Sequence, residues 1–217
     1  FKALKREFFE ELGVHLKSAS PLIEIRHDYG DIAVQLNVYR IESYSGIPVS
    51  KEGQALRWVV PELLSNLEFP AANRPIIKAL RLPDYYAILD SATVESHNYS
   101  GKQTTQKLQE CLEQFLQQGL TLIQARLNNL NEYQIQKFVE IAIPLCADYR
   151  ASLLFNSSLE WGGQFGQSLH LTASDLMTLN TRPPGIKWLA ASCHNLQQLR
   201  QAEKIGVDFA VLGAVLP

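Results

Sequence analysis

From Tyr85 onward the chain alternates short apolar runs with amphipathic stripes, and this alternation restricts the fold more than any other feature. The apolar runs are Tyr85 to Asp90, Leu120 to Arg126, Ser152 to Asn156, Ser168 to Leu171, Trp188 to Cys193 and Asp208 to Ala214. Each is short and apolar almost throughout, as expected of strands covered on both faces. Between them, Leu108, Cys111, Leu112, Phe115 and Leu116 mark one side of a helix over Thr104 to Gln118, stopped by Gly119. Asn131 and Gln134 have the spacing of a capping box for a helix reaching about Tyr149, with Pro144 expected to kink it or end it early. Leu196, Leu199, Ala202 and Ile205 give a further stripe, closed by Gly206. The pattern predicts a parallel α/β sheet of six strands. A doubly wound sheet fits that count, and so does a (β/α)8 TIM barrel with about six of its eight strands present.

The residues before Tyr85 read as α+β. Leu22 to His27 is an expected strand, Asp28-Tyr29-Gly30-Asp31 a turn, and Ile32 to Ile41 a second strand. In the latter, Ile32, Val34, Leu36 and Val38 alternate with Ala33, Gln35, Asn37 and Tyr39, the period of a half-buried strand. A loop rich in Gly, Pro and Ser ends in Lys51-Glu52-Gly53-Gln54 and leads to a third expected strand, Leu56 to Val60. Pro61 is placed to begin a helical turn. Phe69-Pro70-Ala71-Ala72-Asn73-Arg74-Pro75 opens a helix through Leu80, with Asn73 a candidate N-cap. Arg81 to Asp84 is a short linker, so residues 1–81 and 82–217 are expected to form separate domains.

At the start of the chain, Arg6-Glu7-Phe8-Phe9-Glu10-Glu11-Leu12-Gly13-Val14 makes a helix with two unlike faces. Leu4, Phe8 and Leu12 recur every fourth residue and can point into a core. Glu7, Glu10 and Glu11 fall in one sector. Glu7 and Glu11 are like charges at i,i+4, a pairing that costs roughly 0.2–0.5 kcal/mol. A solvated, Glu-rich face with an Arg6–Glu10 surface pair accounts for these residues. So does a divalent cation, which turns the repulsion into coordination; hard oxygen ligands suit Mg2+ or Mn2+.

Composition narrows the function classes. Hydrophobic residues make up 46% and charged residues 19%, the balance of a soluble globular protein. A net charge of −2 gives no basic footprint for nucleic acid. No apolar run approaches the ~18 residues of a membrane span. Cys111, Cys146 and Cys193 have no metal-binding spacing and read as buried thiols in a reducing, cytoplasmic compartment.

The order Arg-Glu-apolar-x-Glu-Glu-x-Gly-apolar at residues 6–14 resembles the second half of the Nudix box. The Gly and further Glu that open that box would lie before Phe1, and the chain has no initiator Met, so it is expected to be a fragment. Lys51-Glu52-Gly53-Gln54, followed by the segment with Trp58, and Phe69-Pro70-Ala71-Ala72-Asn73 resemble the matching loops of MutT-type 8-oxo-dGTP diphosphatases. The resemblance implies Mg2+-assisted hydrolysis of oxidised purine nucleoside triphosphates to the monophosphate and pyrophosphate. It implies Glu7, Glu10, Glu11 and Glu52 as metal ligands, with Glu52, Glu10 and Arg6 as the catalytic set and Asn73 and Phe69 on the substrate. An alternative is hydrolysis of thiamine-pathway diphosphates.

The strand ends carry a second resemblance. Gln124 and Arg126, Asn156, His170 and Ser192 stand at successive strand ends, where a barrel keeps its active residues. In this order they resemble thiamine-phosphate synthase and its TenI-like relatives, over most of residues 85–217, which favours the barrel. Asn128 stands where the pattern has Lys, Ser157 where it has a Mg2+-binding Asp, and Asp175 where a second such Asp is expected. The resemblance implies a barrel binding a thiazole or pyrimidine phosphate, and the departures imply no synthase chemistry or a binding role alone. The phosphate loops after the last two strands would lie beyond Pro217.

Overall fold

The computed structural model describes residues 1–96, 102–156 and 168–213. The chain divides into two compact units, Phe1–Leu82 and Pro83–Pro217.

The first unit opens with α1, Lys2–Leu12. Gly13 ends it at φ 69°, and Gly13 and Val14 donate back to the carbonyls of Phe9 and Phe8, a left-handed cap that a side chain would strain. A long antiparallel hairpin follows, β1 (His15–Asp28) and β2 (Ala33–Ser45). Its turn is built by Asp28, whose Oδ1 accepts the Gly30 amide at 2.8 Å, and by Gly30 at φ 92°. Val34, Leu36 and Val38 are half-buried while Ala33, Gln35 and Asn37 are exposed, as expected, but Ile32 precedes the strand and is 67% exposed, and Tyr39 is half-buried. Both strands extend further toward α1 than their hydrophobic runs alone indicate, because cross-strand pairing continues to His15 and Ser45.

Leu56 to Val60 forms no strand, contrary to expectation: β1 and β2 are the only strands of this sheet among the described residues. Trp58 is 81% exposed and Val60 55%. A run with high strand propensity still needs a neighbouring strand to pair with, and propensity does not supply one. Two 3-10 turns, Pro61–Asn66 and Ala71–Asn73, then lead into α2, Arg74–Arg81.

The second unit holds six parallel strands: β3 (Ala87–Asp90), β4 (Leu122–Arg126), β5 (Ser152–Asn156), β6 (Ser168–Leu171), β7 (Trp188–Cys193) and β8 (Phe209–Leu212). They lie side by side in chain order, which excludes a doubly wound sheet, whose order reverses at a switch point. The sheet is also curled. The Tyr86 ring, just before β3, lies 5.1 Å from the Phe209 ring of β8. In a flat sheet those strands would be about 24 Å apart. Sequential parallel strands that curl onto themselves are TIM-barrel-like.

Period-two alternation sorts this sheet into two faces. Ile123, Ala125, Leu153, Phe155, Leu169, Leu171, Leu189 and Ala191 join the core under the helices. The intervening residues, among them Gln124, Asn156, His170 and Ser192, take the other face. The helices are α3 (Ser91–Glu95), α4 (Lys102–Gln117), α5 (Glu132–Asp148), α6 (Ala173–Thr178) and α7 (Leu196–Ile205). The capping box of α5 forms both ways, Asn131 and Gln134 exchanging bonds of 2.9 and 3.0 Å. Pro144 does not end α5, which runs on to Asp148. Phe138, Val139, Ala142 and Cys146 are buried on either side of it, so packing outweighs the lost backbone bond. Helices α3 and α6 escape hydrophobic periodicity because each is little more than one turn, set by a side-chain cap, Asp90 for α3 and Thr172 for α6.

Candidate functional site

Glu7, Glu10 and Glu11 project from α1 into water. Arg6 bonds the Glu7 carboxylate at 2.8 Å and lies 3.8 Å from that of Glu10, so the expected surface pair forms and a second accompanies it. The two carboxylates hold the Arg6 pKa above its ordinary value, the Glu7 hydrogen bond first. The loop carrying Glu52 is tied to the end of this helix: the Val49 and Lys51 amides donate to the Leu12 and Glu11 carbonyls at 3.0 and 2.9 Å. A side chain at Gly13 would meet this loop, since its Cβ would lie 2.8 Å from Lys51 Cε. Among the described residues no three His, Cys, Asp or Glu side chains converge into a cage. Mg2+ does not require one, because it keeps waters and is held by one or two carboxylates together with substrate phosphates. Exposed carboxylate oxygens on one helix face fit such a cation.

Asn73 precedes α2 at φ −85°, ψ −15°, and its side chain makes no cap bond. The expected N-cap role is therefore not taken up, and the half-buried amide keeps its donor and acceptor. Phe69 lies four residues earlier and is 37% exposed.

In the second unit some of the strand-end residues pair: Gln124 with Asn156, and His170 with Ser192. Gln124 donates to Asn156 Oδ1 at 3.0 Å between β4 and β5. His170 lies between two hydroxyls, with Tyr86 Oη 2.7 Å from Nδ1 and Ser192 Oγ 2.9 Å from Nε2. Either tautomer satisfies this string, each ring nitrogen donating to one hydroxyl and accepting from the other. Burial, and then the Arg126 charge, push the His170 pKa down to about 4, so the ring is neutral at pH 7. Burial pushes the Tyr86 phenol pKa up, and Arg126 partly offsets this. Among the described residues Gln124 Oε1 and Arg126 Nε are buried without a hydrogen-bond partner, which leaves polar capacity at this rim. Asp175 is otherwise engaged: Thr172 Oγ1 donates to its carboxylate at 2.7 Å and accepts its amide at 3.1 Å, capping α6. Asn128 is exposed in the turn after β4, and Ser157 lies outside the described residues. Tyr86 went unnoticed in the sequence; its signal is a polar aromatic opening an otherwise apolar strand.

Comparison with known proteins accords with both resemblances. The thiamine monophosphate synthase family matches residues 96–217 and the NUDIX domain matches residues 2–79. The chain belongs to the thiamine monophosphate synthase family, which covers more than half of it, and it carries a NUDIX domain on its N-terminal side. The 8-oxo-dGTP diphosphatase of Escherichia coli (strain K12) is 31% identical over 80 residues, 37% of this chain and 62% of that protein. The corresponding protein of Buchnera aphidicola is 33% identical over 79 residues, 36% of this chain and 64% of its own length. The thiamine-phosphate synthase of Photorhabdus laumondii is 31% identical over 110 residues, 49% of this chain and 50% of that protein. The chain thus spans between half and two thirds of these relatives. Among the described residues no helix is long and apolar enough to cross a membrane.

Proposed function

We propose that the N-terminal unit, residues 1–81, is a Mg2+-dependent Nudix hydrolase of the 8-oxo-dGTP diphosphatase type. It takes oxidised purine nucleoside triphosphates to the monophosphate and pyrophosphate. The observation that carries this reading is the backbone stitch that brings the Glu52 loop to the end of the carboxylate helix. Glu7, Glu10 and Glu11 would hold Mg2+ or Mn2+, with Glu52 a further ligand or the base. When bound, the metal polarises phosphoryl oxygens and lowers the pKa of the attacking water. Arg6 holds the Glu7 and Glu10 carboxylates on one side of α1. Asn73 and Phe69 contact the purine. The full-length protein is expected to lose activity in EDTA, and Glu11→Gln to lower kcat at least ~100-fold. Full activity in EDTA, or a Glu11→Gln enzyme close to wild type, contradicts the reading.

The C-terminal unit, residues 82–217, is proposed to be a TenI-like barrel that binds a thiazole or pyrimidine phosphate and lacks synthase activity. Its Gln124, Arg126, Asn156, His170 and Ser192 rim supports ligand binding, with two buried polar atoms unpartnered among the described residues. The losses at Asn128 and Ser157 remove a cation and an anionic ligand, and Asp175 is committed to Thr172. Incubation with pyrimidine diphosphate and thiazole phosphate should yield no thiamine phosphate above a no-enzyme control; product formation refutes this part.

A further inference from the structure

Phe9 is an odd residue for its place. It falls between Glu7 and Glu10 in the chain, but at 100° per residue it points to the side of α1 away from Glu7 and Glu11, and it is 42% exposed. The Lys51 ammonium stands 4.4 Å from the centre of its ring, and the ring also stacks on His15 at 4.7 Å. Lys51 is the residue before Glu52, and its own amide donates to Glu11. Past it the loop turns back on itself, with Gly53 at φ 82° and Ser50 Oγ donating to Gln54 Oε1 at 3.1 Å. The loop lies outside the hairpin sheet, so strand pairing does not fix it. Its grip on α1 rests on two backbone bonds and on Lys51 over Phe9.

We infer that Phe9 and Lys51 form a clasp that positions the Glu52 loop against the carboxylate helix. Both are positioning residues, acting through Glu52 and Glu11, and the inference rests on the hydrolase reading above. The clasp makes a prediction opposite in sign to simple electrostatics. Lys51 is a cation next to Glu52 in the chain, so removing its charge alone should ease the approach of a divalent cation to the carboxylates and tighten its binding. Loss of the clasp should weaken binding instead.

Mn2+ alone, titrated into the full-length protein and followed by the EPR signal of the free ion, decides between them. Phe9→Ala, which changes no charge, and Lys51→Met, which keeps the side-chain stem, should each weaken binding about two- to five-fold, the size of one exposed cation–π contact. The double variant should bind no more weakly than either single one, because both remove the same contact. Lys51→Arg should restore affinity, since a guanidinium also stacks on an aromatic ring. Thermal midpoints of all four should lie close together, which separates positioning from general destabilisation. Lys51→Met binding Mn2+ as tightly as wild type or tighter, while Glu11→Gln binds it poorly, overturns the clasp and leaves the hydrolase reading intact. Failure of Lys51→Arg to restore affinity also overturns it. A wild-type protein that binds no Mn2+ overturns the hydrolase reading, and the clasp with it.

Discussion

Glu7, Glu10, Glu11 and Glu52 stand in water on a helix and a loop, whereas Gln124 and His170 are each 1% exposed on the inner face of a curled sheet. The first group owes little to its neighbours: one arginine holds two of the carboxylates, and water solvates the rest. The second group is held by its own members, Gln124 to Asn156 and Tyr86 to His170 to Ser192. Exposed charges can be altered with little effect on folding, because surface pairs contribute about 0–1 kcal/mol. Buried polar groups cannot, because each lost partner leaves an unsatisfied atom costing about 1–3 kcal/mol. The same kind of substitution should therefore report on chemistry in one unit and on stability in the other.

The largest stability effect is expected at Arg182, which no sequence pattern marked. Its guanidinium donates to the Gly206 and Ile186 carbonyls at 2.7 and 3.1 Å and to Asp208 Oδ2 at 2.8 Å. The same Asp208 oxygen accepts the Leu189 amide at 2.8 Å. The pair thus joins the end of α7 to β7 and to the approach of β8. Arg182→Ala should destabilise the C-terminal unit by about 3 kcal/mol, since it removes three charge-assisted hydrogen bonds at a part-buried site. Glu11→Gln should shift the denaturant midpoint of the N-terminal unit hardly at all. Equal midpoint shifts in the two variants would erase the contrast between the units.

Acid should act next, and through one ring. The His170 pKa is pushed down to about 4, below the ~6.5 of an unfolded histidine. Below pH 6.5 the unfolded chain takes up the proton before the folded one does. The stability contributed by the neutral ring is therefore complete above about 6.5 and declines as the pH falls toward 4. The total is on the order of 3 kcal/mol. His170→Gln lowers stability at pH 7 but should flatten this dependence. Denaturation at pH 7, 5.5 and 4 compares the two slopes, and parallel slopes would show that His170 is not the acid-labile group.

What the sequence disclosed follows the same division. Apolar runs, helical stripes and a capping pair marked β3 to β8, α4, α5 and α7, because burial imposes a period on residues that face a core. The curl of the sheet was expected only through the strand-end resemblance that favoured the barrel, not from periodicity. It depends on contacts such as Tyr86 with His170 and Phe209, residues distant in the chain. The apolar run Leu56 to Val60 misled because propensity is local and strand pairing is not. The carboxylate sector was read from spacing alone, whereas Glu52 and Asn73 entered by resemblance; the stitch of the Glu52 loop to α1 uses backbone groups, which leave no mark on residue type.

The smallest effect, and the sharpest test of the exposed site, concerns Asn73. Oxidation adds a carbonyl at C8 of guanine and turns N7 from an acceptor into an N–H donor. One side-chain amide can both donate to and accept from such an edge. Had Asn73 capped α2, replacing it with Ala would cost about 1 kcal/mol of stability. Its side chain makes no cap bond, so Asn73→Ala should leave the thermal midpoint of the N-terminal unit nearly unchanged. Its expected effect is on choice of base. A site that hydrogen-bonds a ligand group rejects the analogue lacking it, at about 1–3 kcal/mol for an unpaired buried group. That converts to roughly a ten- to hundred-fold fall in the ratio of kcat/KM for 8-oxo-dGTP over dGTP. Asn73→Asp keeps an acceptor and loses the donor, so it should lose the part of the preference that rests on donation to the base. Measuring both variants for thermal midpoint and for the substrate ratio separates a base-reading amide from a structural one. An unchanged ratio in both would move base recognition to another residue, while a lowered midpoint in Asn73→Ala would show that the amide holds the helix after all.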